Sequence, residues 1–390
     1  MPTMTHDEII KRAEYIGQIG EAELFEADRR GGYSVKLKEA ILETQLHHLM
    51  RPKRYGGFGM GQRTFSEAVK TVARHSVSAA WVAFFMPLHE TWVALLPPKG
   101  REEIFSEDKL VADIFFPIGT VTYAEGGVRL SGQWNWGSGI DFCEWIGLGA
   151  IVDMPGSGPQ PCLVTIRVAE GEIIDNWDTF GLRGTGSKGI KVRDVFVPWH
   201  RILPVATAKK TAIPLGGEFD ADEPVYRVPF MPGFCLGFGA ICVGAMQRLQ
   251  QELHSRIKAR QRVVLGGQEW ESPVAQRNLG EVVTQIEQAE ALHERYIQQL
   301  EDWCRANTPV CHTPDEARLG AWRSSIAKTA AWVGFRTLEL LGGAATYKGD
   351  IVEVFSRDLM MVSLQVGQLY EDHMMFYGRT QYGLTGHPIA

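Results

Sequence analysis

The sequence is poor in the signatures that most directly announce an activity. Neither HExxH nor GxSxG occurs in its 390 residues, so zinc-peptidase and serine-hydrolase chemistry have no anchor. The pair His89-Glu90 lacks a second histidine in register. Cysteine is scarce: Cys143, Cys162, Cys235, Cys242, Cys304 and Cys311 show no tight pairing. Cys304, Cys311 and His312 come nearest to a ligand cluster but lack CxxC spacing, so no metal is expected. Thiols used this way read as cytosolic. The N-terminal stretch contains no apolar h-region, so no signal peptide is expected and the location reads as cytoplasmic. Positive charge is not in excess either. With 46 Asp+Glu against 40 Lys+Arg, neither nucleic acid nor an anionic membrane is expected as partner.

What the chain does have is aromatic and apolar mass. Eighteen Phe, 11 Trp and 10 Tyr exclude intrinsic disorder. So many tryptophans suggest a pocket or interface with flat apolar walls, although core packing alone could use them. Val228 to Met246 carries no charge and nearly reaches membrane-spanning length. Pro229 and Pro232 shorten the helix it can form, and Gly233, Gly237, Gly239 and Gly244 allow another backbone close. A buried central helix is the expectation.

The texture divides the chain into three. Residues 1–113 read as an N-terminal helical domain. Thr5 and Glu8 make a capping box before the first helix; others are expected over about 35–49, 64–73 and 78–96. Residues 114–215 read as a central antiparallel β domain, a barrel or sandwich, with short runs divided by glycine, proline and acid. Residues 228–390 read as a C-terminal four-helix bundle, with Gly342-Gly343 stopping its third helix. Helices, then strands, then helices make an α+β fold by segregation, not a βαβ alternation.

That order disposes of the most visible motif. Gly184-Thr-Gly-Ser-Lys-Gly189 matches G-x-G-x-x-G, but a dinucleotide fingerprint must open a helix. Here Ile190-Lys-Val-Arg-Asp-Val-Phe-Val197 follows, which reads as a strand. Ser187-Lys188 is in the wrong order for a P-loop. A glycine-rich turn is expected. With no evident nucleophile or metal, an enzyme of this kind would borrow a cofactor.

Several segments, in order, resemble the acyl-CoA dehydrogenase fold. They are Pro52-Lys-Arg-Tyr-Gly-Gly-Phe-Gly59, Ser131-Gly-Gln-Trp-Asn-Trp-Gly-Ser-Gly139, Gly181-Leu-Arg-Gly-Thr185 with Val197-Pro198, Arg262-Val-Val-Leu-Gly266, Leu341-Gly342-Gly343 and Arg357-Asp358. Within that fold the chain resembles the oxygenase components of two-component flavin monooxygenases. Ser78-Ala-Ala-Trp81 with His89, Trp136-Gly-Ser-Gly139 with Asp141 and Trp145, and Gly181 to Lys188 carry this second likeness.

The resemblance implies reduced flavin (FADH2 or FMNH2) and O2 as co-substrates, with a separate NAD(P)H:flavin reductase as partner. It implies a C4a-hydroperoxide that hydroxylates a small aromatic or heteroaromatic substrate, and a homotetramer. Ser138 matches the hydroxyl beside flavin N5, Trp136 would pack on the ring, and His89 would hold the substrate. The plain alternatives are a turn serine, a core tryptophan and a core histidine. Gly139, Arg262, Gly342 and Gly343 would help bind the flavin.

Departures matter as much. The phenol hydroxylases have a second histidine where this chain has Gln365, which can hydrogen-bond but not titrate. Glu339 stands where dehydrogenase-like members have glutamine, and His373 could face either way. Where the common acyl-CoA dehydrogenases carry their base, this chain has Val366. An FAD-dependent acyl-CoA dehydrogenase with its base elsewhere is the alternative reading; an inactive scaffold is a third.

Overall fold

The computed structural model describes residues 4–206, 223–262, 266–308 and 310–385. The chain opens with helices α1 (His6–Ala22), α2 (Leu24–Arg30), α3 (Val35–Glu43), α4 (Gln62–His75), α5 (Val77–Val93) and α6 (Pro98–Phe105). The capping box expected at Thr5 and Glu8 is formed. Ser76 caps α5 by accepting from the Ala79 N–H, and every residue of α5 is buried. Pro97-Pro98 follows α5, and Pro98 begins α6, where a missing N–H costs nothing.

Seven strands follow: β1 (Val111–Ala124), β2 (Gly127–Gly137), β3 (Trp145–Met154), β4 (Gly158–Arg167), β5 (Glu172–Ile174), β6 (Lys188–Pro198) and β7 (Ile202–Pro204). Their order is β5-β6-β2-β1-β3-β4-β7. The expectation of a purely antiparallel domain is corrected here, because β1 and β3 run parallel, Val111 opposite Trp145. The cause is the length of β1. Its first half pairs with β3 and its second half turns away to form a hairpin with β2, Thr120 opposite Ser131. Pro117 lies at the break between the halves, where the register shifts from Ile114 to Gly119. Proline has no N–H for a ladder, so pairing cannot run through that point.

The remaining helices among the described residues are α7 (Phe230–Phe234), α8 (Leu236–Ala259), α9 (Pro273–Ala306), α10 (Thr313–Leu341), α11 (Ile351–Leu364) and α12 (Tyr370–Gln381). Helices α8 to α11 pack on one another, α12 packs on α10, and α8 also lies along α4. The stretch Phe230–Ala259 is long and apolar enough to cross a membrane, but 89% of its apolar window is buried inside the protein. Gly237 shows why it lies so deep. A Cβ there would sit 2.0 Å from the Phe84 ring, so only glycine lets α8 press against α5.

The glycine-rich stretch after Gly181 is a turn, as expected, running from a short 3-10 segment Arg183–Thr185 into β6. None of the six cysteines is in a disulfide.

Candidate active site

A cavity of about 610 Å³ opens where α5, β1, the end of β2, α7–α8 and the end of α11 meet. Two breaks in the sheet create it. Where β1 leaves its ladder at Pro117, Ile114, Phe115 and Phe116 turn into the cavity. Where β2 slips against β6 between Trp134 and Gly137, Trp136 and Ser138 are turned to its mouth. Such irregularities re-aim side chains and recur beside functional sites.

Four candidates from the sequence, His89, Trp136, Ser138 and Gln365, line this one cavity. Trp136 is held at φ +74° and is 58% exposed, its ring 5.5 Å from that of Phe116. Left-handed backbone is strained for so bulky a side chain, which marks the position as one the fold maintains at a cost. Trp134, two residues earlier, is fully buried and its indole N–H bonds the Gly149 carbonyl. The two tryptophans thus divide the readings proposed for Trp136: Trp134 is the core residue.

Ser138 begins a chain of hydroxyls. The Trp81 indole N–H donates to Ser138 Oγ at 2.9 Å. Ser138 Oγ lies 2.8 Å from Ser187 Oγ, which lies 2.7 Å from Thr185 Oγ1. Thr185 donates to the Leu182 carbonyl at 2.7 Å. A carbonyl only accepts, and each hydroxyl has one proton and two lone pairs. The direction is therefore fixed: Ser187 donates to Thr185, and Ser138 donates to Ser187. Ser138 keeps one unspent lone pair and no free proton. Gly139 supports it from behind at φ +66°, its N–H bonded to the Thr185 carbonyl.

Asp358 anchors the far end. Its carboxylate accepts from the Leu182 N–H at 2.6 Å and from Ser78 Oγ at 2.8 Å. Burial pushes this carboxyl up to about 7, against the pull of those two donors. The Arg-Asp motif is thus the clamp between α11, α5 and the turn that carries the hydroxyls. Neighbouring Arg357 pairs with Glu353 at 2.6 Å and with Asp28 at 3.0 Å.

His89 is buried on α5, four residues beyond Phe85 and eight beyond Trp81, which sets all three on the cavity face of that helix. Its Nδ1 donates to the Val111 carbonyl, and its Nε2 lies 3.3 Å from Asp113 Oδ2. Asp113, from β1, also lines the cavity and was not a sequence candidate. Burial raises its carboxyl above the ordinary range, and the charge of His89 opposes this.

Gln365 ends α11 and spends Oε1 on the Gly367 N–H at 2.6 Å, so its amide N–H2 is what it has to offer. Val366 lies at the cavity with no carboxylate beside it in sequence. His373 turns away from the cavity, within 2.9 Å of the Gly367 carbonyl; burial, with Arg323 adding, lowers it to about 4. Glu339 is exposed and paired with Arg336.

Arg262, Gly342 and Gly343 do not line the cavity of this chain. They belong to one end of the helical array: Arg260 donates to the carbonyls of Leu340 and Leu341, which holds the turn at Arg262 to the end of α10. Residues 263–265 of the Arg262 motif lie outside the described residues.

Metal-like spacing arises elsewhere. His47, His48 and Asp108 bring their ligand atoms within 4.8 Å of one another. The same Asp108 oxygen already takes Arg51 Nη1 at 3.0 Å, so a cation is present in the cluster as guanidinium.

The chain matches the model of the acyl-CoA dehydrogenase C-terminal domain over residues 236–366. It is 27% identical over 328 residues to a pigment production hydroxylase of Rhodococcus sp., covering 83% of each chain. It is 28% identical to the flavin-dependent monooxygenase oxygenase subunit HsaA of Mycobacterium tuberculosis, covering 89% of this chain and 88% of that one. XiaF from Streptomyces sp., solved in complex with FADH2 and glycerol, superimposes with a TM-score of 0.89 at 22% identity, covering 98% of this chain and 96% of its own.

Proposed function

We propose that this chain, which is similar over most of its length to an oxygenase subunit of a flavin-dependent monooxygenase, is itself such an oxygenase, and that its cavity seats a reduced flavin ring beside a small aromatic substrate. Reduced FAD or FMN, together with O2, supplies one oxygen atom to an aromatic carbon and releases the other as water.

The residues present fit such a group. The volume is in the range of small-molecule sites, about 300–1,000 Å³. The walls are flat and apolar, which excludes the water that would divert oxygen to H2O2. The observation that carries the reading is the unspent lone pair of Ser138. Reduced flavin carries N–H at N5, and the hydroxyl chain leaves Ser138 only the role of acceptor. Trp136 and Gly139 would complete that contact. His89 would orient the substrate, and Gln365 would offer it an amide N–H in place of a titrating base.

The three segments 1–113, 114–215 and 228–390 are, in this reading, the units that meet at the cavity. Arg262, Gly342 and Gly343 would reach the outer part of a flavin held by a neighbouring subunit of a homotetramer. A separate NAD(P)H:flavin reductase would deliver the flavin in the cytoplasm.

Mixing tests the reading against the dehydrogenase alternative. The purified protein is expected to be nearly colourless, to bind reduced flavin anaerobically, and to oxygenate an aromatic when NADH, reductase and air are supplied. A yellow protein bleached anaerobically by an acyl-CoA alone would overturn it.

A further inference from the structure

The cavity contains one carboxylate that the oxygenase reading does not use, Asp113, which stands beside His89. The Asp113 side chain is 8% exposed and lines the cavity. His89 Nε2 stands 3.3 Å from its Oδ2 and the Trp92 indole N–H acts on the same carboxyl, but Oδ2 receives no hydrogen bond of good geometry from any described residue. Buried acceptors without donors are rare because each costs the desolvation of a polar group. The other polar groups named on the wall each make a hydrogen bond of good geometry within the protein. Ser138 and Ser187 donate along the hydroxyl chain, and Gln365 spends its oxygen on Gly367. Around Asp113 the wall is apolar, built from Phe85, Ile114 and Phe115.

We infer that Asp113 is the group that recognises the substrate, accepting a hydrogen bond from an N–H or O–H on the aromatic ring. The inference rests on the oxygenase reading for the purpose of the ligand, but not for its binding.

The pair also limits what happens to that hydrogen. Nδ1 of His89 carries a proton, since the Val111 carbonyl can only accept. Nε2 and Oδ2 face each other in a dry site, where two bare lone pairs would repel, so one more proton is shared across the 3.3 Å gap, and the remaining lone pairs of the carboxylate are what a ligand's donor would fill. The pair is then neutral as a whole. Taking a proton from the substrate would leave a net positive charge buried among aromatic rings, which is costly without a partner. Asp113 therefore accepts a hydrogen bond and leaves the substrate's N–H or O–H bond intact. This agrees with Gln365 standing where a titrating histidine would serve a phenolate. The favoured class is a ring whose heteroatom keeps its hydrogen, an indole above all; a ring lacking the donor is disfavoured.

Calorimetric titration of the purified full-length protein tests this with three probes of similar shape: indole, 1-methylindole and benzothiophene. Wild type is expected to bind indole about tenfold tighter than either donor-free ring. In Asp113→Leu that preference is expected to collapse to about twofold or less, with benzothiophene bound as in wild type. Equal affinities in wild type overturn the inference without any variant, as does the absence of indole binding. A preference kept in Asp113→Leu overturns it too. Turnover of the same probes with reduced flavin and O2 separates this from the oxygenase reading. Equal hydroxylation of indole and benzothiophene would sink the recognition role alone, whereas selective binding without oxygenation would sink the oxygenase reading alone.

Discussion

Two polar spots face one apolar cavity, and they are built on opposite principles. Beside Trp136 every hydroxyl is committed, from the Trp81 indole through Ser138, Ser187 and Thr185 to the Leu182 carbonyl. Beside Phe85 the His89–Asp113 pair is ionisable and keeps an acceptor without a donor. A fully bonded chain presents one fixed lone pair, which suits a partner that always arrives with an N–H, as reduced flavin does at N5. An underbonded pair waits for a ligand that brings its own donor. In the proposed reading the cofactor takes one spot and the substrate the other, and lesions in the two should then move different readouts.

The largest effect is expected at Ser138. In Ser138→Ala, product formed per reduced flavin should fall by about ten- to a hundredfold, the lost oxygen appearing as H2O2, because one buried hydrogen bond is removed. Indole affinity should stay as in wild type. A matching loss of indole affinity would break the division between the spots.

Next are Ser187→Ala and Thr185→Val, which leave Ser138 in place but free its proton to point anywhere. A loss of about three- to tenfold in the same product-to-peroxide ratio is expected, smaller than for Ser138. An effect as large as that of Ser138→Ala would mean that Ser187 itself meets the flavin.

Trp136→Gly sharpens the comparison differently. It relieves a left-handed backbone costing about 1–3 kcal/mol at a side chain that buries little. Thermal stability should hold or rise while the affinity for reduced flavin, measured anaerobically, drops several-fold. A fall in both would make Trp136 a structural residue.

The last effect is read in stability alone and concerns Asp358. Burial holds its folded value at about 7, above that of an unfolded aspartate. An acid raised on folding lends stability that is complete below its unfolded value and is lost as pH rises through its folded value. Between about pH 4 and 7 wild type should therefore lose melting temperature relative to Asp358→Asn, by about 5 °C for a chain of this size. Parallel melting curves across that range would contradict the assignment.

The sequence showed much of this and hid the rest for physical reasons. Trp81, Phe85 and His89 repeat at helical spacing, so their shared face could be read directly, and the motifs around Trp136 and Ser138 brought both to the cavity. Asp113 could not be read. It becomes a partner of His89 only because β1 pairs parallel with β3 beside α5, and that pairing depends on a break at Pro117. The hydroxyl chain was hidden for a similar reason: Ser187 was read as part of a turn, and only the turn's fold against Asp358 brings it to Ser138. Arg262 and Gly342-Gly343 carry clear motifs, yet sit away from this chain's own cavity, where a motif alone cannot say which subunit it serves.

The central claim, that this cavity transfers oxygen from O2 to an aromatic ring at the expense of reduced flavin, is tested most directly with ¹⁸O2. Protein, reduced FAD or FMN, and indole, mixed under ¹⁸O2 and examined by mass spectrometry, should give a hydroxylated product carrying one ¹⁸O atom per turnover. Product without label, or reduced flavin consumed with all of its oxygen recovered as H2O2, would contradict the account.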